Sequence, residues 1–322
     1  MPSPNGRGRV TRLGPGEKDR LMVEIEFKER KGNFVHDFAG TPPGVHCPRF
    51  AVITSAHGCQ FDPRCHYCYL RGTFRTEPNP VVYTNTDKLL RDVERDWEKR
   101  NEPTLYNAGE LADSFLDCVT AQRLVKLFGG QSTHKLLLLT KDPMAAHASL
   151  CARSLLSTHN GQTIVSFSVN ALPVSRDFEP GAGDRCALTA TVVAVLALYC
   201  YPIRLRIDPM IPISTWQTEY HVLADEFYGV DIERVTLGSL RYHPTVRQQS
   251  PDKRVFDYAM EWTAADRRYR VSLPVRVEMY RRMAEWLQDY LPGVPVGLCK
   301  ETVDCFEALG IDPAAQHCNC VL

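Results

Sequence analysis

Between residues 50 and 240, short apolar runs alternate with amphipathic stretches, and this alternation leaves the chain few folds to choose from. The runs cover 50–54, 104–107, 136–140, 164–168, 203–207 and 234–237. Each is too short for a helix and dense in apolar or β-branched residues, which reads as buried strand. Helical patterns lie between them. Thr86 stands where it can cap a helix in which Leu89, Leu90, Val93 and Trp97 recur at helical spacing. Residues 120–128, 185–199 and 217–228 read the same way. Six β/α units in series predict an α/β fold on a parallel sheet. A partial (β/α)6 barrel and a flat doubly wound sheet both satisfy that pattern. No glycine-rich dinucleotide fingerprint follows the first strand, which weakens the flat sheet.

The polar residues favour the barrel. Cys59, Cys65 and Cys68 follow the first strand, and Gly109 and Glu110 follow the second. Lys141 follows the third, Ser168 and Asn170 close the fourth, and Asp208 follows the fifth. In β/α barrels the loops at the carboxyl ends of the strands build the site. The expected organisation is a tail and lead-in over 1–45, a barrel over 46–240 and a carboxyl-terminal extension over 241–322. The segment 241–282 holds nine Arg and one Lys against five acids. Arginine pairs bidentately with phosphate or carboxylate, so an anionic ligand is one reading of that surplus and solvated helix faces are the other.

Composition narrows the class. Acidic and basic residues balance at 38 each, which gives no reason to expect a non-specific nucleic-acid binder. The first twenty residues hold no apolar run and read as a loose tail, not a secretory signal. The apolar stretch 187–199 is too short to cross a bilayer and reads as a buried core helix. A soluble cytoplasmic protein is expected. Its twelve cysteines then stay reduced and, where closely spaced, suggest metal or cluster ligation. Isolated Cys118, Cys151 and Cys200 read as small core residues.

The tightest spacing is Cys59-Gln-Phe-Asp-Pro-Arg-Cys65-His-Tyr-Cys68-Tyr-Leu. Cys65 and Cys68 can chelate one centre from a single turn, and the intervening loop is long enough to bring Cys59 to it. Three thiolates on a four-iron cluster leave one iron open for a small molecule. Zinc held by three cysteines with His66 or His57 is the alternative from spacing alone.

Cys65-His-Tyr-Cys68-Tyr-Leu resembles the cluster loop of spore photoproduct lyases, a branch of the radical S-adenosylmethionine (SAM) enzymes. Leu139-Thr-Lys141, Phe167-Ser-Val-Asn170-Ala and Phe178-Glu-Pro-Gly181 resemble further blocks of that family, in order, across residues 50–240. The resemblance implies a [4Fe–4S] cluster on Cys59, Cys65 and Cys68 that cleaves SAM reductively to a 5′-deoxyadenosyl radical. It also implies an external electron donor such as flavodoxin or ferredoxin. Gly109 and Glu110 resemble the element that holds the methionine ammonium. Lys141 is placed for the methionine carboxylate, and Ser168 and Asn170 for the ribose or methionine end. Asp208 either does likewise or caps the next loop. Tyr67 and Tyr69 match family tyrosines, which implies that one packs near adenine or relays a hydrogen; plain packing around the cluster is the alternative.

Three departures shape the functional expectation. The cluster spacing is five then two residues, where the family more usually has three then two. Glu110 stands where the lyases keep a hydrogen-donating cysteine, and a carboxylate cannot return a hydrogen atom as a thiol does. Cys299, Cys305, Cys318 and Cys320 form a cysteine-rich tail suited to an auxiliary cluster, a thiol donor or an inert end. The expected function is hydrogen abstraction from a nucleotide-like or other anionic metabolite. It would lead to carbon–carbon bond formation or cleavage in modified-nucleoside or specialised-metabolite biosynthesis, with DNA an unlikely partner. Repair of the thymine photoproduct and a non-catalytic iron–sulfur redox protein are the alternatives.

Overall fold

A computed structural model describes residues 7–9, 24–38, 41–77, 79–182, 186–315 and 317–322. Its centre is an eight-stranded sheet. In chain order the strands are β1 (Val35–Asp37), β2 (Ala51–Ile53), β3 (Leu105–Asn107), β4 (Lys135–Thr140), β5 (Thr163–Ser168), β6 (Ile203–Met210), β7 (Arg234–Ser239) and β8 (Val296–Leu298). Their spatial order is the same as their chain order, from β1 at one edge to β8 at the other. Strands β2 to β8 are parallel, and β1 pairs antiparallel with β2. A doubly wound sheet reverses direction at a switch point. This one never reverses, so right-handed crossovers put the helices on one face. The flat doubly wound alternative is therefore not the one the chain adopts. β8 belongs to the carboxyl-terminal extension, yet it extends the sheet.

Strands β4 and β5 are buried along nearly their whole length, as expected of parallel strands covered on both faces. β6 shows the two-residue period at its clearest. Leu205 and Ile207 point one way into the apolar core, while Arg204, Arg206 and Asp208 share the other face. That second face carries charge into the middle of the protein.

The expected helices appear as Thr86–Trp97, Cys118–Gly129, Cys186–Leu198 and Trp216–Asp225. Thr86 is not the cap. Asn85 holds that position, and the Thr86 hydroxyl bonds the Thr120 hydroxyl at 3.0 Å. Asp117 caps the next helix by accepting from the Thr120 amide at 3.1 Å. Over its described side chains, from Thr189 onward, the apolar helix Cys186–Leu198 buries one face through Val192, Val193 and Leu196 and leaves Leu198 81% exposed. Cys118 and Cys151 are half-buried, but Cys200 is exposed at φ 63° just past that helix, so it is not a core residue. The expected tail falls mostly outside the described residues, although Arg7–Arg9 forms a strand against Glu24–Lys28. No helix among the described residues is long and apolar enough to cross a membrane.

Two smaller pairings join distant segments. Glu301–Thr302 pairs antiparallel with Val45–His46, tying the lead-in of β2 to the segment after β8. Arg241–Tyr242, Arg268–Arg270 and Glu261–Thr263 form a three-stranded antiparallel sheet beyond β7.

Candidate active site

A cavity of about 420 Å³ lies where the carboxyl ends of the strands converge. That volume suits a small ligand. Cys59, Cys65, Tyr67, Cys68 and Tyr69 reach it from the loop after β2, and Gly109, Glu110 and Asp113 from the loop after β3. Lys141, Ser168 and Asp208 arrive from the ends of β4, β5 and β6. Arg241, His243, Arg268 and Lys300 complete the wall from the extension. Ten of the eleven residues singled out from the sequence for this site therefore line one cavity. Asn170 does not.

The three thiols are buried or half-buried. Burial, followed by the neighbouring Cys68 thiol, pushes Cys59 up to about 12. Burial and then Glu179 push Cys65 well up, and burial raises Cys68. Buried thiols of this kind ionise when a metal takes the negative charge. Among the described residues, no three His, Cys, Asp or Glu side chains gather as ligands of a single ion. The zinc arrangement with His57 fails on its own contacts. Its ring stacks on Phe74 and its Nδ1 lies 3.1 Å from the Tyr83 hydroxyl. Cluster ligands sit on separate irons and need no such tight convergence. Three thiols on one cavity with room beside them thus fit an iron–sulfur cluster better than zinc.

The loop that carries them is held from two sides. Arg71 Nε donates to the Cys65 carbonyl at 2.9 Å, and the same guanidinium bonds the Arg64 carbonyl. The His66 amide donates to the Phe178 carbonyl at 2.8 Å. A Cβ at Gly181 would run into the Pro63 carbonyl oxygen, so glycine there lets 178–181 close over the loop.

Glu179 organises the adjoining wall. Its carboxylate accepts from Lys141 Nζ at 3.0 Å, from Asn170 Nδ2 at 3.1 Å and from the Tyr67 hydroxyl. Burial works against the Lys141 ammonium, but Glu179 and then Cys65 together outweigh it and raise Lys141. Asn170 also donates to the Pro209 carbonyl at 2.9 Å and accepts from the Tyr220 hydroxyl at 2.9 Å. Its amide is occupied in holding the wall together, which is why it does not face the cavity. Sequence reasoning quoted Glu179 only as part of a family block and gave it no role. Its Asn170, Lys141 and Tyr67 partners lie 9 to 112 residues away in the chain, so no local pattern reveals that convergence.

On the opposite wall, Glu110 Oε1 pairs with Lys300 Nζ at 3.1 Å, and its carbonyl accepts from the Tyr69 hydroxyl. Asp113, which the sequence reading missed, accepts from the Thr140 hydroxyl, the Lys141 amide and the Phe115 amide. Burial raises its pKa. Gly109 packs so closely on Leu139 that no side chain fits. Asp208 is buried, which favours protonation, but Arg241 and then Arg206 outweigh that and hold it well below the usual carboxylate range. Both guanidinia bond it directly, at 3.0 and 2.7 Å.

The arginine surplus of 241–282 is largely neutralised internally. Arg254 pairs with Asp252, Arg282 with Glu278 and Glu285, and Arg270 and Arg276 with Glu301. Of the nine arginines, Arg241 and Arg268 reach the cavity. The tail also differs from expectation. Cys305 is fully buried on the helix Val303–Leu309, away from the other three. Cys299, Cys318 and Cys320 instead line a second, small cavity together with Cys47. Burial, then the adjacent Cys299 and Cys320, push Cys47 up to about 12.

Comparison with known proteins gives a consistent family. The family model for spore photoproduct lyase matches residues 48–243. The chain is 30% identical over 181 residues to the spore photoproduct lyase of Bacillus subtilis (strain 168), covering 54% of this chain and 50% of that protein. It is 28% identical over 223 residues to the spore photoproduct lyase of Geobacillus sp. (strain Y412MC61), covering 67% and 62%. It thus spans only half to just under two thirds of those curated relatives. In structure it resembles a spore photoproduct lyase complexed with dinucleoside spore photoproduct. The TM-score is 0.65 at 22% identity, over 77% of this chain and 76% of that one, and that likeness concerns the mixed α/β fold alone.

Proposed function

Because the chain belongs to the spore photoproduct lyase family, we propose that it is a radical SAM lyase that opens a carbon–carbon bond in a nucleotide-like substrate of the thymine-photoproduct type. The observation that carries this reading is the single cavity that gathers Cys59, Cys65 and Cys68 with Tyr69, Glu110, Lys141, Ser168 and Asp208. In this reading the unreversed sheet is a partial (β/α)6 barrel, and residues 241–322 are an extension that walls its mouth.

Cys59, Cys65 and Cys68 would hold a [4Fe–4S] cluster, which supplies the one-electron reduction that splits bound SAM; flavodoxin or ferredoxin is the proposed class of donor. The protein's own contribution is position and charge. Gly109 keeps the loop after β3 close to the cavity wall, and Glu110 offers a carboxylate to an ammonium group. Lys141, held by Glu179, presents positive charge to a carboxylate. Arg268 lines the same cavity and can meet a phosphate-bearing substrate, while Arg241 and Lys300 are already paired with Asp208 and Glu110. Tyr69 is hydrogen-bonded to the Glu110 backbone and stands between the two loops, where it can relay a hydrogen.

The test is incubation of anaerobically reconstituted protein with SAM, dithionite and dinucleoside spore photoproduct. Release of the thymine dinucleoside together with 5′-deoxyadenosine is expected. SAM cleavage without conversion of the photoproduct would overturn the assignment.

One observation favours a second reading. Among the described residues, no thiol other than the three cluster cysteines lines the cavity, and Glu110 and Asp113 occupy the loop where the lyases keep their donor. A free nucleotide that needs no returned thiol hydrogen would suit that site. Nothing in the comparisons points to nucleoside biosynthesis, so photoproduct cleavage stands first. Deuterium passing from a labelled nucleotide into 5′-deoxyadenosine, with none from the photoproduct, would reverse that order.

A further inference from the structure

We propose that Cys47, Cys299, Cys318 and Cys320 form a second metal centre, an iron–sulfur cluster separate from the one assigned to Cys59, Cys65 and Cys68. The inference stands on its own geometry and does not depend on the substrate. The four cysteines line one small cavity, yet they come from three remote segments. Cys47 lies in the lead-in to β2, Cys299 directly follows β8, and Cys318 and Cys320 sit one residue apart in the final segment. Four cysteinyl thiols are the ordinary complement of a four-iron cluster.

The fold fixes the final segment firmly. Arg204 Nη1 donates to the Asn319 and Val321 carbonyls at 2.6 and 2.7 Å. Arg234 Nη1 donates to the Cys318 carbonyl at 3.2 Å. Both guanidinia are buried. A Cβ at Gly297 would run into the backbone of His317 and Cys318, so only glycine lets β8 and the tail touch. Apolar packing alone would not call for two buried arginines clamped to carbonyls.

Charge points to the kind of centre. Four thiolates leave any cluster anionic. Arg206 and Arg241 each donate to Cys299 Sγ at 3.2 Å, and Lys300 lines the same cavity. Hydrogen bonds to the ligand sulfurs are one of the ways a protein sets a cluster's potential. Four thiolates also suit zinc, so iron and sulfide content distinguishes the two. Glu110, Arg206 and Lys300 line both cavities, so the second centre would adjoin the reaction cavity.

The test is iron and sulfide analysis with low-temperature electron paramagnetic resonance of dithionite-reduced protein. In a variant carrying Cys59→Ala, Cys65→Ala and Cys68→Ala, about four irons and four sulfides per chain are expected to remain. They should disappear when Cys318→Ser and Cys320→Ser are added. If the triple variant does not fold, wild type is compared with the Cys318→Ser, Cys320→Ser double variant, and iron should fall from about eight to about four per chain. Near-zero iron in the folded triple variant, zinc in place of iron, or iron unchanged by the serine substitutions would overturn the proposal. None of these outcomes bears on photoproduct cleavage, so failure here is distinguishable from failure of the functional reading.

Discussion

Glu179 offers the sharpest test of how the cavity wall is built. Its side chain is 4% exposed and faces Lys141, which is 16% exposed, across 3.0 Å. Truncation by Glu179→Ala removes the ammonium's partner and takes one acceptor each from the Tyr67 hydroxyl and the Asn170 amide. Breaking a buried ion pair from one side costs about 3–5 kcal/mol, because the remaining charge stays buried and uncompensated. The 322 residues, at about 2.1 cal/mol/K each, give an unfolding entropy near 0.7 kcal/mol/K. The expected fall in Tm is therefore about 4–7 °C. The assay is thermal and urea unfolding of metal-free protein followed by far-ultraviolet circular dichroism. Lys141→Met in the Glu179→Ala background should recover part of the loss, since the orphaned charge is then gone. A coupling energy above about 1 kcal/mol is expected for groups in direct contact. Additivity of the two single changes within about 0.5 kcal/mol would refute the reasoning, because it would mean the pair is not a unit.

Replacing Cys59, Cys65 and Cys68 together by alanine should abolish release of 5′-deoxyadenosine from SAM under dithionite, measured by chromatography; retained cleavage would remove the cluster assignment. Gly181→Ala drives a methyl into the Pro63 carbonyl, so a loss of about 1–3 kcal/mol and a lower iron content after reconstitution are expected. Glu301→Gln removes the charge that Arg270 and Arg276 share at 3.0 and 3.3 Å in the core, and a loss of about 3–5 kcal/mol should appear as a lower urea midpoint. Glu110→Ala should weaken SAM binding by about 1.5–3 kcal/mol in calorimetry without changing cluster iron, and unchanged affinity would displace Glu110 from the ammonium site.

The sequence was informative where the physics is local. All six strand runs between 50 and 240 lie in the sheet, because strand periodicity and apolar density are properties of five or six neighbouring residues. The convergence of Cys59, Glu110, Lys141, Ser168 and Asp208 was legible for a related reason: each stands at the end of a strand, and parallel strands align their ends. What escaped was long-range. β8 has only Val296–Leu298 to announce it, and it joins the sheet because β7 offers an open edge. Glu179 and Asp113 gained their importance from partners on other loops. Cys47 carried no local signal, because Cys299, Cys318 and Cys320 beside it lie at the far end of the chain. The arginines of 241–282 looked like a charge surplus, but their acids are supplied partly from elsewhere in the chain, Glu301 and Asp208 among them. Exposure of Leu198 and Cys200 had no counterpart in the apolar count, which cannot distinguish one buried helix face from two.

The meeting of Cys47 with Cys320 has a temporal side. The two are 273 residues apart in the chain, and ribosomes extend a chain at about 5–20 residues per second. Cys47 therefore leaves the ribosome about 15–50 s before Cys320 is made. During that interval the lead-in lacks its pairing with Glu301–Thr302, and Arg204 and Arg234 lack the carbonyls they clamp. The inner face of β6 stays open to solvent in the nascent chain, and iron delivery to the proposed second centre would have to follow synthesis of this segment.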